Sequence, residues 1–218
     1  MNRNVALERV LTAAPVVPVL TIEDAGIAVP LATALVKGGL PAIEITLRTA
    51  AAIDAVRAVA NEVEGAFAGV GTVLDATQLK QAADAGATFA VSPGTSRGLL
   101  DAAADSPVPL LPGAATVSEA MALSERGYEI LKFFPAEPAG GVAYLKALAA
   151  PLPAIRFCPT GGISLQNAPD YLKLENVICV GGSWIAPQNA IAAGDWQHIK
   201  ELARQAAGLN PAKQGRDR

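Results

Sequence analysis

A lysine in the middle of an apolar segment is the residue in this sequence with the clearest chemical potential. Lys132 lies in Ile-Leu-Lys-Phe-Phe-Pro, residues 130–135, a strand-like run that ends at a proline. Lysine is rarely buried without a partner, and burial in a low dielectric favours its neutral amine. A neutral lysine in an apolar pocket can attack a carbonyl carbon. The alternative is an edge-strand lysine whose stem packs while its ammonium reaches water, and this segment alone does not decide between the two.

A second set of polar side chains shares one face of a predicted strand at residues 42–47. Strict alternation puts Glu44, Thr46 and Arg48 on that face and three apolar residues on the other. The apolar face is expected to pack on helices, so the polar face must point inward. An inward-facing glutamate and arginine need partners or a ligand. The alternative is a Glu44–Arg48 ion pair with a structural role only.

Two predicted strands near the C-terminus are each followed by paired glycines and a hydroxyl residue. These segments are Pro-Thr-Gly-Gly-Ile-Ser, residues 159–164, and Gly-Gly-Ser-Trp, residues 181–184. Backbone N–H groups exposed at such turns, beside helix N-termini, bind phosphate. The pair of segments therefore predicts a phosphate site, with turns chosen only for tightness as the alternative. A weaker signal is Gly71-Thr72, where a glycine permits close approach of the backbone and a hydroxyl follows.

Short apolar runs alternate with alanine-rich helical stretches along the chain. The predicted strands are 16–20, 42–47, 66–71, 88–92, 108–111, 130–134, 155–159 and 177–180. The predicted helices are 25–37, 51–63, 76–85, 98–104, 117–126, 142–149, 166–172 and 196–207. Three residues with side chains that favour the N-cap position precede predicted helices: Asp75, Thr116 and Ser164.

Eight strand–helix units predict an α/β fold, a single-domain (β/α)8 TIM barrel with parallel strands. The domain is expected to span residues 1–209, with one extra N-terminal helix before Pro15 that closes the bottom of the barrel. The tail, residues 210–218, is polar, charged and expected to be disordered. An open doubly wound sheet is disfavoured because no Gly-x-Gly-x-x-Gly turn follows strand one. In a barrel the chemistry lies at the carboxyl ends of the strands, where the polar residues above fall.

Composition excludes several classes of function. The net charge of -3 gives no basic field for nucleic acid, and no apolar run approaches the roughly 20 residues that span a bilayer. The single histidine, His198, falls in the last predicted helix, so a zinc site built on several histidines is excluded and no metal or cofactor is expected. Cys158 and Cys179 show no disulfide spacing. The simplest account is a reduced, cytoplasmic protein.

Five segments together resemble the 2-keto-3-deoxy-6-phosphogluconate (KDPG) and 4-hydroxy-2-oxoglutarate (KHG) aldolases. They are Glu-Ile-Thr-Leu-Arg (44–48), Gly-Thr-Val-Leu (71–74), Lys-Phe-Phe-Pro-Ala-Glu (132–137), Arg-Phe-Cys-Pro-Thr-Gly-Gly-Ile (156–163) and Gly-Gly-Ser-Trp (181–184). The resemblance extends from residue 16 to about residue 209. It implies a class I aldolase that cleaves a 2-keto-3-deoxy sugar phosphate to pyruvate and glyceraldehyde 3-phosphate, and that assembles as a homotrimer.

The resemblance also implies a role for each matching residue. Lys132 would form the Schiff base, and Glu44 would move protons during carbinolamine formation and at the carbon that becomes the methyl of pyruvate. Arg48 and Thr72 would bind the pyruvyl carboxylate. The remaining matches would line the pocket or hold the phosphate: Pro93, Phe134 and Thr160 in the wall, and Gly161, Gly162, Gly182 and Ser183 at the phosphate.

Two segments depart from the family pattern: Thr95-Ser96-Arg97, where a more apolar first residue is expected, and Gly113-Ala114-Ala115, where an alanine replaces a serine. Both concern substrate range rather than the Schiff base. Other functions also remain open. KHG cleavage or cleavage of the galactonate epimer would use the same catalytic residues. A phosphosugar isomerase or epimerase would need acid–base pairs but no buried lysine. A non-catalytic phosphosugar-binding barrel would use the glycine segments and leave Lys132 and Glu44 as structural partners.

Overall fold

The computed structural model describes residues 3–209, in which parallel strands alternate with helices. The strands are β1 Val16–Leu20, β2 Ala42–Thr46, β3 Phe67–Gly71, β4 Phe89–Val91, β5 Leu110–Leu111, β6 Gly113–Ala114, β7 Ile130–Phe133, β8 Arg156–Pro159 and β9 Val180–Gly182. The helices are α1 Arg3–Leu11, α2 Ala28–Lys37, α3 Ala52–Glu62, α4 Ala76–Asp84, α5 Arg97–Ala104, α6 Val117–Glu125, α7 Gly141–Leu148, α8 Ala168–Leu172, α9 Gln188–Ala193 and α10 Trp196–Ala207, with a 3-10 turn at Ala25–Ile27 before α2. The predicted tail, residues 210–218, lies outside the described residues.

The strands form two parallel sheets. Six strands pair in the order β5-β4-β3-β2-β1-β9, and three pair in the order β6-β7-β8. The predicted fifth strand, 108–111, is shortened to β5, and the short strand β6, which was not predicted, follows Pro112. Strand β5 pairs with β4, whereas β6 pairs with β7. Proline has no N–H to give to a sheet ladder, which fits its position at the break. On the other side, two isolated parallel bridges, Phe157↔Val177 and Thr160↔Gly181, connect β8 to the segment that contains β9.

Alternation along the strands separates two apolar clusters. In β2, Ile43 and Ile45 belong to the larger cluster, which includes the inward faces of α2 and α3. The neighbouring Ala42 belongs to a smaller cluster with the interior side chains Phe89 and Ile130. The apolar face of strand two therefore packs on helices as predicted, and its alternate side chains enter the interior of the strand layer.

The extra N-terminal helix is present as α1. Its buried residues Leu7, Val10 and Leu11 join the smaller cluster, which contains residues at the amino ends of several strands. Glu8 also pairs with Arg156, the first residue of β8, at 2.6 Å. The helix therefore covers the amino-terminal ends of the strands and leaves the chemistry to the opposite ends.

Several predicted boundaries are wrong. The last strand lies at Val180–Gly182 rather than 177–180, so Gly181 and Gly182 belong to β9 and not to a loop. Helix α8 begins at Ala168 rather than at residue 166, and its N-cap is Asn167 rather than Ser164. The Ser164 N–H donates to the Asn167 Oδ1 at 2.8 Å, and the Asn167 N–H donates to the Ser164 hydroxyl at 3.4 Å. The N-caps Asp75 and Thr116 are confirmed, the latter with a full capping box to Glu119. Helix α9 was not predicted.

Candidate active site

Lys132 is buried and paired with a carboxylate. It lies on β7, the central strand of the three-stranded sheet, and only 5% of the residue is exposed. Its Nζ lies 3.1 Å from Oε1 and 3.5 Å from Oε2 of Glu44. The alternative of an edge-strand lysine with its ammonium in water is therefore wrong. Because β2 and β7 belong to different sheets, this pair joins the two sheets across the interior.

The neighbours of the Lys132 Nζ are the Glu44 carboxylate and one aromatic ring. The Phe133 side chain is buried on the other face of β7. It stacks on Tyr144 of α7, with ring centroids 5.5 Å apart, and so does not surround the Lys132 amine. Phe134 is the aromatic neighbour, with its ring centroid 5.4 Å from the Lys132 Nζ. A proton can pass directly between an amine and a carboxylate at the observed 3.1 Å.

Glu44 is held in place by its strand and by an adjacent glycine. The residue is 3% exposed and lies in the interior beside Gly71 of β3. A Cβ atom at Gly71 would lie 2.2 Å from the Glu44 Oε1 and 2.6 Å from its Cγ. The sequence predicted that Gly71 permits a close approach of the backbone. In the structure, the group that lies close to Gly71 is the Glu44 side chain. The structural alternative of a Glu44–Arg48 ion pair is wrong, because the partner is Lys132.

Arg48 reaches the site from a turn and not from the strand. Strand β2 ends at Thr46, and the Arg48 N–H donates to the Thr46 carbonyl at 2.8 Å, so strict alternation does not extend to Arg48. Thr46 turns inward and donates its hydroxyl to the Leu20 carbonyl at 2.9 Å. The Arg48 side chain is exposed and forms no ion pair with any residue of the described part of the chain. Its guanidinium is therefore available to an anionic ligand.

A cavity of about 160 Å³ gathers most of the predicted binding residues. Its wall includes Arg48, Phe134, Thr160, Gly161, Gly162, Gly182 and Ser183. Grooves of about 330 Å³ and 340 Å³ lie elsewhere, between α4 and α5 and between α2 and α10, but contain none of the predicted residues. The smaller cavity is the better candidate because cationic, hydroxyl and glycine backbone groups converge on it.

Thr160 provides an unpartnered hydroxyl in this wall. The residue is 7% exposed, and its Oγ1 has no hydrogen-bond partner among the described residues. A Cβ atom at Gly181 would lie 2.3 Å from that oxygen, so a glycine is required on the facing strand. A buried hydroxyl without a partner is costly. Its position in the cavity wall makes it available to a ligand.

The two glycine segments differ in backbone geometry. Gly161 and Gly162 have positive φ values of 103° and 80°, in the region that favours glycine, so they form a true turn after β8. Gly182 instead ends β9, where a Cβ atom would lie 1.7 Å from the Trp184 ring. Exposed Ser183 follows at the end of the strand. Both segments still line the same cavity, although only the first is a loop.

Thr72 and Pro93 lie at the carboxyl ends of β3 and β4 but are not part of the cavity wall. Thr72 has φ of 61°, and within residues 3–209 it is the one non-glycine residue in the left-handed region. Such a conformation costs of order 1–3 kcal/mol and is concentrated at functional sites. The backbone of Pro93 packs against Gly113, where a Cβ atom would lie 2.3 Å from the Pro93 carbonyl. Gly113 is the register partner of Lys132, so Pro93 supports the lysine strand from its other side.

Two thiols lie beside the lysine. Cys158 is the register partner of Lys132 on β8, and the Cys179 Sγ lies 3.5 Å from the Cys158 Sγ. Both cysteines are free and buried. The hydrogen bond to Cys158, followed by burial, raises the pKa of the Cys179 thiol well above its ordinary value. Cys179 is therefore protonated near neutral pH and is a poor nucleophile.

The described residues contain neither a helix long and apolar enough to cross a membrane nor a group of three or more His, Cys, Asp or Glu residues arranged to hold a metal ion.

The model of the family "KDPG and KHG aldolase" matches residues 7–202 of this chain. The KHG/KDPG aldolase of Escherichia coli (strain K12) is 51% identical over 205 residues, which cover 94% of this chain and 96% of that protein. The 2-dehydro-3-deoxy-phosphogluconate aldolase of Pseudoalteromonas atlantica is 52% identical, with 94% and 95% covered. Among solved structures, the KDPG aldolase of Legionella pneumophila, with pyruvate captured as a covalent carbinolamine intermediate, superposes with a TM-score of 0.90 at 46% identity and covers 92% of this chain and 97% of its own.

Proposed function

Since the chain belongs to the KDPG and KHG aldolase family, we propose that it is a class I aldolase that cleaves 2-dehydro-3-deoxy-6-phosphogluconate to pyruvate and glyceraldehyde 3-phosphate. The observation that carries this proposal is the buried Lys132–Glu44 pair, with 3.1 Å between Nζ and Oε1. A nucleophilic amine and a proton acceptor are the two groups that Schiff-base chemistry needs. The covalent carbinolamine in the Legionella pneumophila enzyme supports the same chemistry here.

The proposed reaction begins with a proton transfer within the pair. The Lys132 ammonium gives a proton to Glu44, and the free amine adds to the ketone carbon C2 of the substrate to form a carbinolamine. Glu44 then returns the proton to the carbinolamine hydroxyl, which leaves as water, so that a protonated imine remains on Lys132. The short distance between the two groups lets each transfer occur without a relay.

The protonated imine then accepts the electrons of the C3–C4 bond. As this bond breaks, the C4 hydroxyl gives its proton to the Glu44 carboxylate, glyceraldehyde 3-phosphate leaves, and the electron pair becomes the double bond of an enamine. Glu44, protonated again, delivers a proton to C3, which becomes the methyl carbon of pyruvate. Water adds to the resulting imine and releases pyruvate from Lys132. The same carboxylate thus serves every proton transfer near the lysine.

The ends of the substrate are assigned to opposite parts of the site. We assign the pyruvyl carboxylate to the Arg48 guanidinium and the Thr72 hydroxyl, and a supporting role in the wall to Pro93. The phosphate would lie on the Gly161, Gly162, Gly182 and Ser183 segments, with Phe134 and Thr160 between the two ends. The presence of Arg48 and the glycine segments in one cavity wall supports a site for an anionic substrate.

The fold that carries this chemistry is proposed to be one closed (β/α)8 barrel in a single domain. Only Pro112 separates β5 from β6, and the two bridges between β8 and the β9 segment connect the sheets on the other side. The Lys132–Glu44 contact across the interior also requires that β2 and β7 face each other. In such a barrel all the proposed site residues lie at the carboxyl ends of the strands.

Release of pyruvate by the purified protein tests the function directly. The account predicts that 2-dehydro-3-deoxy-6-phosphogluconate is consumed with one pyruvate formed per molecule cleaved. Unchanged substrate would favour the non-catalytic phosphosugar-binding barrel. An isomer or epimer of the substrate without pyruvate would favour the isomerase alternative.

Cleavage of 4-hydroxy-2-oxoglutarate is a second candidate, favoured by the name of the Escherichia coli relative, which includes both substrates. Both reactions would use Lys132 and Glu44. The glycine segments favour the phosphorylated substrate, since a carboxylate in place of the phosphate would use fewer backbone N–H groups. A comparison of kcat/KM for the two substrates, and for the galactonate epimer, ranks them.

The proposed assembly is a homotrimer. Exposed apolar side chains such as Leu74 and Met121, 55% and 51% exposed, supply surface for contacts between copies. Sedimentation equilibrium should give three times the mass of the chain, whereas the mass of a single chain would contradict the trimer.

A further inference from the structure

The turn at Gly161-Gly162 is supported from behind by Glu137, the last residue of the Lys-Phe-Phe-Pro-Ala-Glu segment. The Glu137 N–H donates to the Gly161 carbonyl at 3.0 Å, and the neighbouring Ala136 N–H donates to the Thr160 carbonyl at 2.8 Å. The stem of Glu137 fills the place of the missing side chain of Gly162, where a Cβ atom would lie 2.6 Å from the Glu137 Cγ. Main chain and side chain of one residue therefore both fix this turn.

The carboxylate of Glu137 is fixed in turn by Tyr171 of α8. The Tyr171 hydroxyl donates a short hydrogen bond to the Glu137 Oε1. Tyr171 is fully buried in the larger apolar cluster, so its ring has a single packed position. Burial, followed by the hydrogen bond to Glu137, raises the pKa of Tyr171 above its ordinary value. The phenol is therefore protonated at all ordinary pH values and donates to the carboxylate.

The bond chemistry proposed at Lys132 and Glu44 gives the Glu137–Tyr171 contact no role. Neither residue contacts Lys132 or Glu44 in any hydrogen bond or ion pair of the described chain. Both act on the turn that lines the cavity. The pair therefore acts on ligand binding through the backbone shape of this turn, which the Glu137 main chain and stem fix.

We propose that Glu137 and Tyr171 are positioning residues that hold the Thr160-Gly161-Gly162 turn in the shape that binds the phosphate of the substrate. The proposal rests on the proposed function and adds to it the residues that set selectivity for a phosphorylated substrate. The two pairs would then have separate roles. Lys132 and Glu44 carry out the bond chemistry, and the Glu137–Tyr171 pair affects only how tightly the phosphorylated end of the substrate is bound.

Three variants and one matched control test whether the two pairs have separate roles. Tyr171→Phe removes the hydroxyl and keeps the ring, and Glu137→Ala removes both the stem under Gly162 and the acceptor. Glu137→Gln keeps the stem and an acceptor oxygen, so it should retain most of the wild-type behaviour. Tyr128→Phe is the control, since Tyr128 is also a buried tyrosine but its hydroxyl has no partner among the described residues and lies just before β7, at the opposite end of the strands.

The expected result is a selective loss. A hydrogen bond to a charged group is usually worth roughly ten- to a hundredfold in binding, so KM for the phosphorylated substrate should rise by up to that factor in Tyr171→Phe. It should rise at least as much in Glu137→Ala, which also removes the stem, with kcat nearly unchanged in both variants. Exchange of the pyruvate methyl protons, and KM for unphosphorylated 2-keto-3-deoxygluconate, should stay within about twofold of wild type. The Tyr171→Phe/Glu137→Ala double variant should be no worse than Glu137→Ala alone, since both remove the same contact.

Equal losses for phosphorylated and unphosphorylated substrates, or a parallel loss of methyl exchange, would show a merely structural role and overturn the proposal. Wild-type KM in both Tyr171→Phe and Glu137→Ala would also overturn it.

If the wild-type protein releases no pyruvate, the proposed function fails separately. Broadening of the phosphorus NMR signal of inorganic phosphate then tests the turn alone: weaker binding in Tyr171→Phe than in Tyr128→Phe supports the proposal, and equal binding, or none to wild type, contradicts it.

Discussion

The carboxylate of Glu44 occupies the space that a side chain at Gly71 would need. A Cβ atom there would lie 2.2 Å from the Glu44 Oε1, the oxygen that is 3.1 Å from the Lys132 Nζ. Because the nearest atoms belong to the flexible end of a side chain, an added methyl group would move the carboxylate rather than the backbone. The space at Gly71 therefore sets the distance within the Lys132–Glu44 pair.

Gly71→Ala should therefore leave the protein folded but slow catalysis. A displacement of about 1 Å at a reacting group can cost on the order of 10²-fold in rate. Pyruvate release under saturating substrate, with the far-ultraviolet circular dichroism spectrum as a check on folding, measures the effect. Gly94→Ala is the matched control, since a Cβ atom at Gly94 meets nothing within 4 Å. Equal activity of the two variants would show that Glu44 does not need its observed position.

Glu44→Gln should slow the exchange of pyruvate methyl protons by roughly 10²–10⁴, the usual contribution of a positioned general base. The substitution keeps the size and shape of the side chain, so the fold should be retained. Proton NMR in deuterated water follows the exchange. Exchange at the wild-type rate in this variant would remove Glu44 from the mechanism.

Ser183→Ala should raise KM for the phosphorylated substrate roughly ten- to a hundredfold, because a lost hydrogen bond to a charged group is worth about 1.5–3 kcal/mol. Methyl exchange in pyruvate should be almost unaffected, since pyruvate has no phosphate. Steady-state kinetics with phosphorylated and unphosphorylated substrates separate the two effects. If both substrates lose equally, the end of β9 does not bind phosphate.

The buried thiols should resist alkylation in the native protein. The raised pKa of Cys179 keeps that group in its protonated form near pH 8, and burial denies access to reagents. Iodoacetamide at pH 8 followed by mass spectrometry should find no modified cysteine in the folded chain and two after unfolding in guanidinium. Rapid modification of Cys179 in the folded protein would contradict its hydrogen bond with Cys158.

Sequence patterns were sufficient for the parts of the site that follow from strand periodicity. Alternation in β2 correctly placed Glu44 and Thr46 inward, and Lys132 is buried in its apolar strand, as one of its two interpretations required. The same alternation failed at Arg48, because the strand ends in a turn at Thr46. Periodicity carries information only while the backbone remains extended, and nothing local in residues 46–48 announces the turn.

Contacts distant in sequence could not be predicted. The partner of Lys132 is 88 residues away, and the partner of Tyr171 is 34 residues away. The left-handed backbone of Thr72 also has no sequence signal, since threonine disfavours that conformation. The end of β5 before Pro112 was predictable, because Pro112 cannot donate to a ladder, but the short strand β6 after it was not. Contacts of this kind depend on which elements become neighbours in the fold, and local sequence patterns do not determine that.

Reductive trapping of pyruvate is the most direct test of the central claim that Lys132 forms the Schiff base. The five other lysines of the described chain are exposed at Lys37, Lys80, Lys146 and Lys173 and half-buried at Lys200. Pyruvate with borohydride, followed by peptide mass spectrometry, should attach one reduced pyruvyl group at Lys132 alone. Lys132→Arg keeps the charge but cannot form an imine, so it should abolish trapping and cleavage in a folded protein. Modification at another lysine, or cleavage by the Lys132→Arg variant, would contradict the account.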